Sequence, residues 1–174
     1  MIKLERVLFA TDFSAYADEA KPYACAFAEK FHAELHLLHV VHDLSVEVPD
    51  FGMGLAFPGF VDTVGERREQ AEQHAISLLS RQLEPAFQQK HRVVLATRFG
   101  VPFVEIVRYA REHFIDLIVL ATHGRSGLPH VLIGSVAEKV VRKADCPVLT
   151  VRASLLVKER DPEMVAKLRP APAD

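Results

Sequence analysis

Five short, mostly apolar runs recur along this chain, separated by polar or helix-forming stretches. The first, Val7-Leu8-Phe9-Ala10, is unbroken, and continuous rather than alternating apolarity is typical of a strand buried on both faces of a parallel sheet. This feature restricts the chain to folds in which helices cover both sides of a sheet. The predicted strands span residues 7–10, 35–41, 92–97, 117–121 and 147–151.

Helix-forming stretches lie between these runs. Residues 15–31 carry apolar positions at spacings of three and four, with Ser14 as the candidate N-cap and Pro22 as a point where the helix kinks or breaks. Pro85 is expected to end or kink the second helix. The alternation predicts parallel βαβ units with right-handed crossovers. The other predicted helices span residues 66–89, 103–113 and 135–144.

Two segments depart from the alternation. Residues 43–65 mix glycines and prolines with large apolar side chains, so we interpret them as a long loop that packs over a site or a partner. Residues 153–174 contain a helix start at Asp161-Pro162-Glu163, but too few residues follow for an independent helix, and the end is expected to fray. The sequence therefore predicts one domain over residues 1–152, with the loop inside it, followed by a tail.

Composition narrows the class of protein. A net charge of −2 over 174 residues, without a basic block, argues against nucleic-acid and anionic-membrane partners. No apolar run is long enough to span a bilayer, and the first residues do not have the pattern of a signal peptide. Cys25 and Cys146 are far apart and have no metal or redox spacing, so we interpret them as reduced, inert thiols. These features predict a cytoplasmic protein.

Several polar or backbone groups follow the predicted strands. Asp12, Val40, Val41 and the residues from Ala121 to Gly124 all lie at carboxyl ends, where parallel sheets bind ligands if the strand order reverses. Asp12 can accept a hydrogen bond from a ribose hydroxyl, or it can cap the following helix. Val40 can offer backbone groups to the edge of a base. The convergence predicts a ligand site at this end of the sheet.

A glycine-bearing loop joins the fourth strand to the last helix. Gly124, Gly127 and Gly134-Ser135 fit neither the P-loop pattern nor the dinucleotide fingerprint. One interpretation is anion binding by backbone N–H groups of the loop and of the helix start. The other is tight turns followed by a capping box made by Ser135 and Glu138. The two interpretations are compatible, and spacing alone leaves both open.

Catalysis and metal binding have weaker support. The chain has nine histidines, among them His36 and His39 in the second strand and His42 directly after it, but no carboxylate or cysteine accompanies them at ligand spacing. Near the glycines there is Arg125 but no acid pair, and Asp12 cannot be placed beside Asp116 from sequence. We therefore assign no metal ligand and no catalytic residue.

Six segments together resemble the universal stress protein family, over about residues 2–152. The resemblance implies a Rossmann-like, open five-stranded parallel sheet in the order 3-2-1-4-5, with helices on both faces, and dimers paired through the last strand. The segments are VLFATDFS at 7–14, LLHVV at 37–41, GVP at 100–102, THGRSGL at 122–128, IGSVAEKV at 133–140 and CPVLTV at 146–151.

The ATP-binding branch of that family has the pattern G-x2-G-x9-G-[ST]. Gly124 and Gly134-Ser135 fit its second half, but its first glycine is Ala121 here. If that glycine serves only close backbone approach, a methyl group can be accommodated; if its φ is positive, alanine costs on the order of 1 kcal/mol. By resemblance, Asp12 holds ribose and Val40 the adenine edge. The residues assigned to nucleotide binding are Asp12, Val40, Ala121, Gly124, Arg125, Gly134, Ser135 and Val136.

The resulting prediction is a cytoplasmic, homodimeric stress-response protein that binds ATP, with Mg²⁺ as an optional companion, as a regulatory ligand. Two alternatives stay open. One is a protein-interaction module of the same fold that has lost ATP binding and contacts a protein partner. The other is a slow ATPase or phosphotransferase.

Overall fold

Five parallel strands form a single sheet in the computed structural model, which describes residues 2–42, 58–123 and 133–152. The order is β3-β2-β1-β4-β5, so the predicted fold class and strand order are confirmed. Each strand lies within two residues of its predicted bounds at either end. The strands are β1 (Arg6–Ala10), β2 (Glu34–Val41), β3 (Val93–Phe99), β4 (Leu117–Ala121) and β5 (Val148–Val151).

Five helices accompany the strands within the described ranges. Ser14 caps the first one as predicted, because its hydroxyl accepts a hydrogen bond from the Ala17 amide at 3.2 Å. That helix continues through Pro22, and His32 ends it in the left-handed conformation with φ 53°. The helices are α1 (Ala15–Phe31), α2 (Pro58–Ser80), α3 (Pro85–Lys90), α4 (Pro102–Glu112) and α5 (Ser135–Lys143).

Two predictions about the middle of the chain are wrong. The loop predicted for residues 43–65 does not extend beyond residue 57, because α2 begins at Pro58. Pro85 does not end that helix; α2 stops at Ser80, and Pro85 opens α3. In both cases proline occupies the start of a helix, where its fixed φ is favourable and its missing N–H has no intrahelical partner to lose. Residues 43–57 and the predicted tail, 153–174, lie outside the described residues.

The sheet is buried on both faces, which explains the unbroken apolarity of β1. Val7 and Phe9 point towards α1 and α2, whereas Leu8 and Ala10 point towards α4 and α5. On α1 the contact is made by alanines alone among its fully buried positions, so the helix axis can approach the sheet closely. These alanines are Ala17, Ala20, Ala24 and Ala28.

A buried polar pair lies in the core on the α4 face. His36 Nδ1 is 2.8 Å from the Tyr109 hydroxyl, and His36 Nε2 is 2.9 Å from a carboxylate oxygen of Glu34. Since a carboxylate only accepts, Nε2 carries the proton and the tyrosine hydroxyl donates to Nδ1. Burial raises the pKa of Tyr109 to about 12 and lowers the pKa of His36. Both groups are therefore neutral in the folded protein at pH 7.5, and His36 is a core residue rather than a ligand.

We expect Tyr109→Phe to lower the free energy of unfolding by about 1–3 kcal/mol, because His36 Nδ1 loses its donor inside the core. Urea denaturation at pH 7.5 measures this change. The matched control is Tyr23→Phe, at a side chain that is 52% exposed, where we expect a change within about 0.5 kcal/mol. Equal effects at both positions would contradict the assigned hydrogen bond.

Protonation of His36 should oppose folding. Burial, the largest cause, lowers its pKa below the ordinary value of 6.5 and outweighs the nearby Glu34 carboxylate. The unfolded chain therefore binds this proton more readily, and the stability that His36 contributes is complete above pH 6.5 and is lost as the pH falls through its folded pKa. An NMR titration of the imidazole should give a midpoint below 6.5. A midpoint at or above that value would contradict the burial argument.

Candidate functional site

A cleft of about 680 Å³ lies at the carboxyl ends of β1, β2 and β4. This is the point where the sheet order reverses, because β1 has β2 on one side and β4 on the other. The N-terminal ends of α4 and α5 complete its walls. Its volume is in the range of pockets that enclose small organic ligands.

Six of the eight residues assigned to nucleotide binding line this cleft. Asp12 follows β1, Val40 lies near the end of β2, and Ala121 ends β4. The remaining three, Gly134, Ser135 and Val136, form the start of α5. Gly124 and Arg125 lie outside the described residues. The topology thus brings together residues that are more than a hundred positions apart in sequence.

Local hydrogen bonds shape the turn after β1. The Ser14 amide donates to Asp12 Oδ1 at 3.0 Å, and the Phe13 amide donates to Thr11 Oγ1 at 3.0 Å. Phe13 has φ 62°, a conformation that a bulky residue rarely adopts. Since Ser14 is the N-cap of α1, the interpretation of Asp12 as the cap is wrong. Its carboxylate instead closes the turn and borders the cleft.

Gly134 is required by close backbone contact rather than by an unusual φ. Its amide donates to the Thr122 carbonyl at 2.6 Å, and its φ is −69°. A Cβ at this position would lie 2.9 Å from that carbonyl oxygen, closer than real Cβ atoms approach backbone. The missing side chain therefore lets the start of α5 lie directly against the end of β4.

The capping box predicted for Ser135 and Glu138 is wrong. Gly134 is the N-cap of α5 and makes no side-chain capping bond, and Ser135 is the first helical residue. Glu138 pairs with Arg142 at 3.4 Å on the exposed side of the helix. The reason is the Gly134–Thr122 contact, which sets the helix start one residue earlier than the hydroxyl signal indicates. Ser135 is consequently placed on the wall of the cleft.

Ala121 adopts ordinary strand geometry. Among the described residues the positive-φ positions other than glycine are Phe13, His32 and Phe114, so alanine is not strained here. Its methyl group packs against the core cluster on the α1 face. Of the two accounts left open by the sequence, backbone strain is therefore eliminated.

The cleft has a mainly apolar lining with few charged groups. Within the described residues, Asp12 is its single carboxylate and Lys139 its single permanent cation. The Lys139 ammonium lies 4.9 Å from the centroid of the Phe103 ring, which links α5 to α4 at the rim. The sequence reasoning missed Lys139 and Phe103. The sequence could have indicated Lys139, because residues four apart share one helix face and Ser135 was already assigned to the site.

This arrangement is suited to binding a ligand that has an apolar part and polar groups. Apolar walls accept a planar ring, while a carboxylate and two helix N-termini supply polar contacts at the ends of the strands. No group of three or more histidine, cysteine or acidic side chains that could hold a metal ion occurs in the part of the chain that the structure describes. Nor is any described helix both long and apolar enough to cross a membrane.

Comparison with known proteins supports the resemblance seen in the sequence. The sequence profile of the universal stress protein family matches residues 3–152. Universal stress protein MJ0531 of Methanocaldococcus jannaschii is 34% identical over 148 residues, which cover 85% of this chain and 82% of the relative.

Two solved structures share the fold. Universal stress protein UspA from Lactobacillus plantarum superposes with a TM-score of 0.69 at 27% identity, covering 87% of this chain and 100% of that one. A universal stress protein in complex with cAMP gives a TM-score of 0.60 at 22% identity, covering 88% and 100% respectively. At that level of identity, the second likeness concerns the fold alone.

The contact between Gly134 and Thr122 predicts that alanine has opposite effects on stability at Gly134 and at Gly65. Gly134→Ala should destabilise the protein by about 1–3 kcal/mol, since the added methyl group must push backbone apart. Gly65→Ala is the matched control, because no atom lies within 4 Å of the added Cβ and the residue is exposed on α2. There alanine should stabilise by about 0.5–1 kcal/mol through its helix propensity. Thermal and urea unfolding of both variants measure the effects; similar values of the same sign would contradict the close contact.

Proposed function

The chain belongs to the universal stress protein family, and from that premise we propose that it binds ATP in the cleft at the ends of β1, β2 and β4. ATP acts as a regulatory ligand in this proposal, and the protein works in the cytoplasm as a homodimer. The observation that carries the proposal is the convergence of Asp12, Val40, Ala121 and the start of α5 on one cleft.

Each part of the nucleotide has a suitable place. The adenine lies against the apolar wall, with the backbone of Val40 at its polar edge. The ribose hydroxyls donate to the Asp12 carboxylate. The phosphates lie at the N-terminus of α5, where unpaired amides and the positive end of the helix dipole favour an anion. Ser135 adds a hydroxyl there, and we assign Gly124 and Arg125 to the same phosphate site.

The alanine at position 121 is compatible with this ligand. Its φ is ordinary, and its methyl group belongs to the packing on the α1 face. Backbone strain at Ala121 therefore gives no reason for a lost site. A nucleotide-independent interaction module is the alternative that the binding experiment tests. A universal stress protein of the same fold has been solved with cAMP, another adenine nucleotide.

Efficient hydrolysis does not follow from this site. Phosphoryl transfer needs a group that positions the attacking water and charges that stabilise the departing phosphates. Asp12 is the single carboxylate among the described lining residues, and in our proposal the ribose occupies it. Mg²⁺ would enter bound to the phosphates, since that ion keeps several waters and needs few protein ligands. A slow ATPase or phosphotransferase activity is therefore the weaker alternative.

Pairing through β5 is the proposed dimer contact. In the described sheet β5 is an edge strand with β4 as its neighbour, so one of its sides has backbone groups available for a second strand. This open edge favours a second copy of this chain along β5.

Titration calorimetry with ATP and Mg²⁺ tests the proposal. We expect saturable binding, and Asp12→Asn should weaken it by about tenfold or more because a charge-assisted hydrogen bond is lost. The matched control is Asp18→Asn, which removes an exposed carboxylate paired with Lys21 on α1. Ala121→Gly should change the affinity by less than about threefold. Absence of binding at millimolar ATP would exclude the proposal, and a large gain with Ala121→Gly would support the interaction module.

A further inference from the structure

The side chain of His39 makes two contacts with the turn after β1, which carries Asp12. His39 Nδ1 is 2.8 Å from the Thr11 carbonyl oxygen, across twenty-eight positions of sequence. Its ring lies against the Phe13 ring, with 4.3 Å between centroids and 33° between planes. Thr11 and Phe13 are the two neighbours of Asp12. His39 therefore contacts the residues on both sides of Asp12, and Thr11 borders the cleft together with Asp12.

The contact with Thr11 determines the tautomer of His39. A backbone carbonyl oxygen can only accept, so Nδ1 must carry the hydrogen. When the imidazole is neutral, its proton is therefore on Nδ1 rather than on Nε2. This state is a measurable property of the ring, separate from any bound ligand.

The turn needs such support because its backbone is strained. Phe13 has φ 62°, which costs on the order of 1 kcal/mol for a residue with a side chain. The local bonds from the Phe13 and Ser14 amides stabilise the turn from within. The turn is joined to β2, which pairs with both β1 and β3, by the Thr11 amide, which donates to the Leu38 carbonyl at 3.0 Å, and by the side chain of His39.

We propose that His39 is a positioning residue for nucleotide binding: its Nδ1–H bond to the Thr11 carbonyl and its stacking on Phe13 hold the Asp12 carboxylate in place for the ribose. His39 does not touch the ligand in this proposal. Its effect on affinity passes through Asp12. The inference rests on the function proposed above for the cleft. It adds to that site a residue whose side chain lies on the other face of β2 from Val40.

Two substitutions separate the contributions of the hydrogen bond and the ring. His39→Phe keeps a ring against Phe13 but removes the donor. His39→Asn places an amide N–H where Nδ1–H lies but removes the ring. We expect His39→Phe to weaken ATP binding by about threefold to tenfold, the range for one lost hydrogen bond. His39→Asn should restore affinity to within about threefold of the natural protein.

The chain offers a close control. His91 stacks on Phe87 with 4.2 Å between ring centroids, and neither residue lines the cleft. His91→Phe should therefore leave ATP affinity unchanged. If His91→Phe weakens binding as much as His39→Phe does, the effect is one of general stability and the proposal is overturned.

A double-mutant cycle tests whether His39 acts through Asp12. Asp12→Asn should cost at least threefold less affinity in the His39→Phe background than in the natural protein. Independent, multiplying effects would show that His39 does not position Asp12. Unchanged ATP affinity in His39→Phe would overturn the proposal as well.

NMR provides a readout that does not depend on ATP. Long-range ¹H–¹⁵N spectra should assign the Nδ1–H tautomer to His39, and His39→Phe should shift the amide resonances of residues 11–14, with partial recovery in His39→Asn. An Nε2–H tautomer, or unshifted amides, would overturn the positioning role even if ATP binds. If the natural protein fails to bind ATP while these amides shift as expected, the proposed function fails and the structural contact stands.

Discussion

The parallel pairing of β1 with both β2 and β4 is the constraint on which the rest of the structure depends. Leu8 lies between His36 and Ile118 in this register, and it is fully buried. Because both neighbours run parallel to β1, the chain must cross back over the sheet before each new strand. The crossovers that follow β1 and β4 lie on opposite faces of the sheet. The segments that leave β1 and β4 therefore diverge, and the cleft opens between them. The position of the cleft therefore follows from the strand order and does not depend on the side chains that line it.

Close backbone contact then decides how the cleft is finished. At the end of β4, the missing side chain of Gly134 allows the first turn of α5 to lie against Thr122. This contact places the start of α5 on the wall of the cleft. At the end of β1, the turn bearing Asp12 is held by its own side chains and by His39 from β2. The wall formed by α5 thus depends on the absence of a side chain at Gly134. The wall after β1 depends on a strained turn that local hydrogen bonds and His39 stabilise.

Much of the architecture could be predicted from the sequence, because burial on both faces leaves a strong apolar signal. The strands and α1 were predicted nearly to the residue. The errors have local causes: glycines at 59 and 65 suggested a loop where α2 begins, and the hydroxyl of Ser135 suggested a cap where Gly134 occupies that position. In the first case the position of a proline outweighed the preference of glycine for loops. In the second, a tertiary contact outweighed the preference of serine for the cap position. The histidines of β2 show a further limit, since a face assignment does not reveal partners such as Tyr109 or Thr11.

The sequence by itself determined the α/β class and, through its resemblance to a family, the strand order and most of the candidate site residues. These properties depend on local patterns: runs of apolar residues, proline and glycine positions, and short motifs. Only the tertiary structure decided that Ala121 is unstrained, that Gly134 is needed for space rather than for φ, and that Asp12 is no helix cap. Those answers depend on distances between backbone segments that are far apart in the chain. Such distances are set by packing, and no local pattern encodes them.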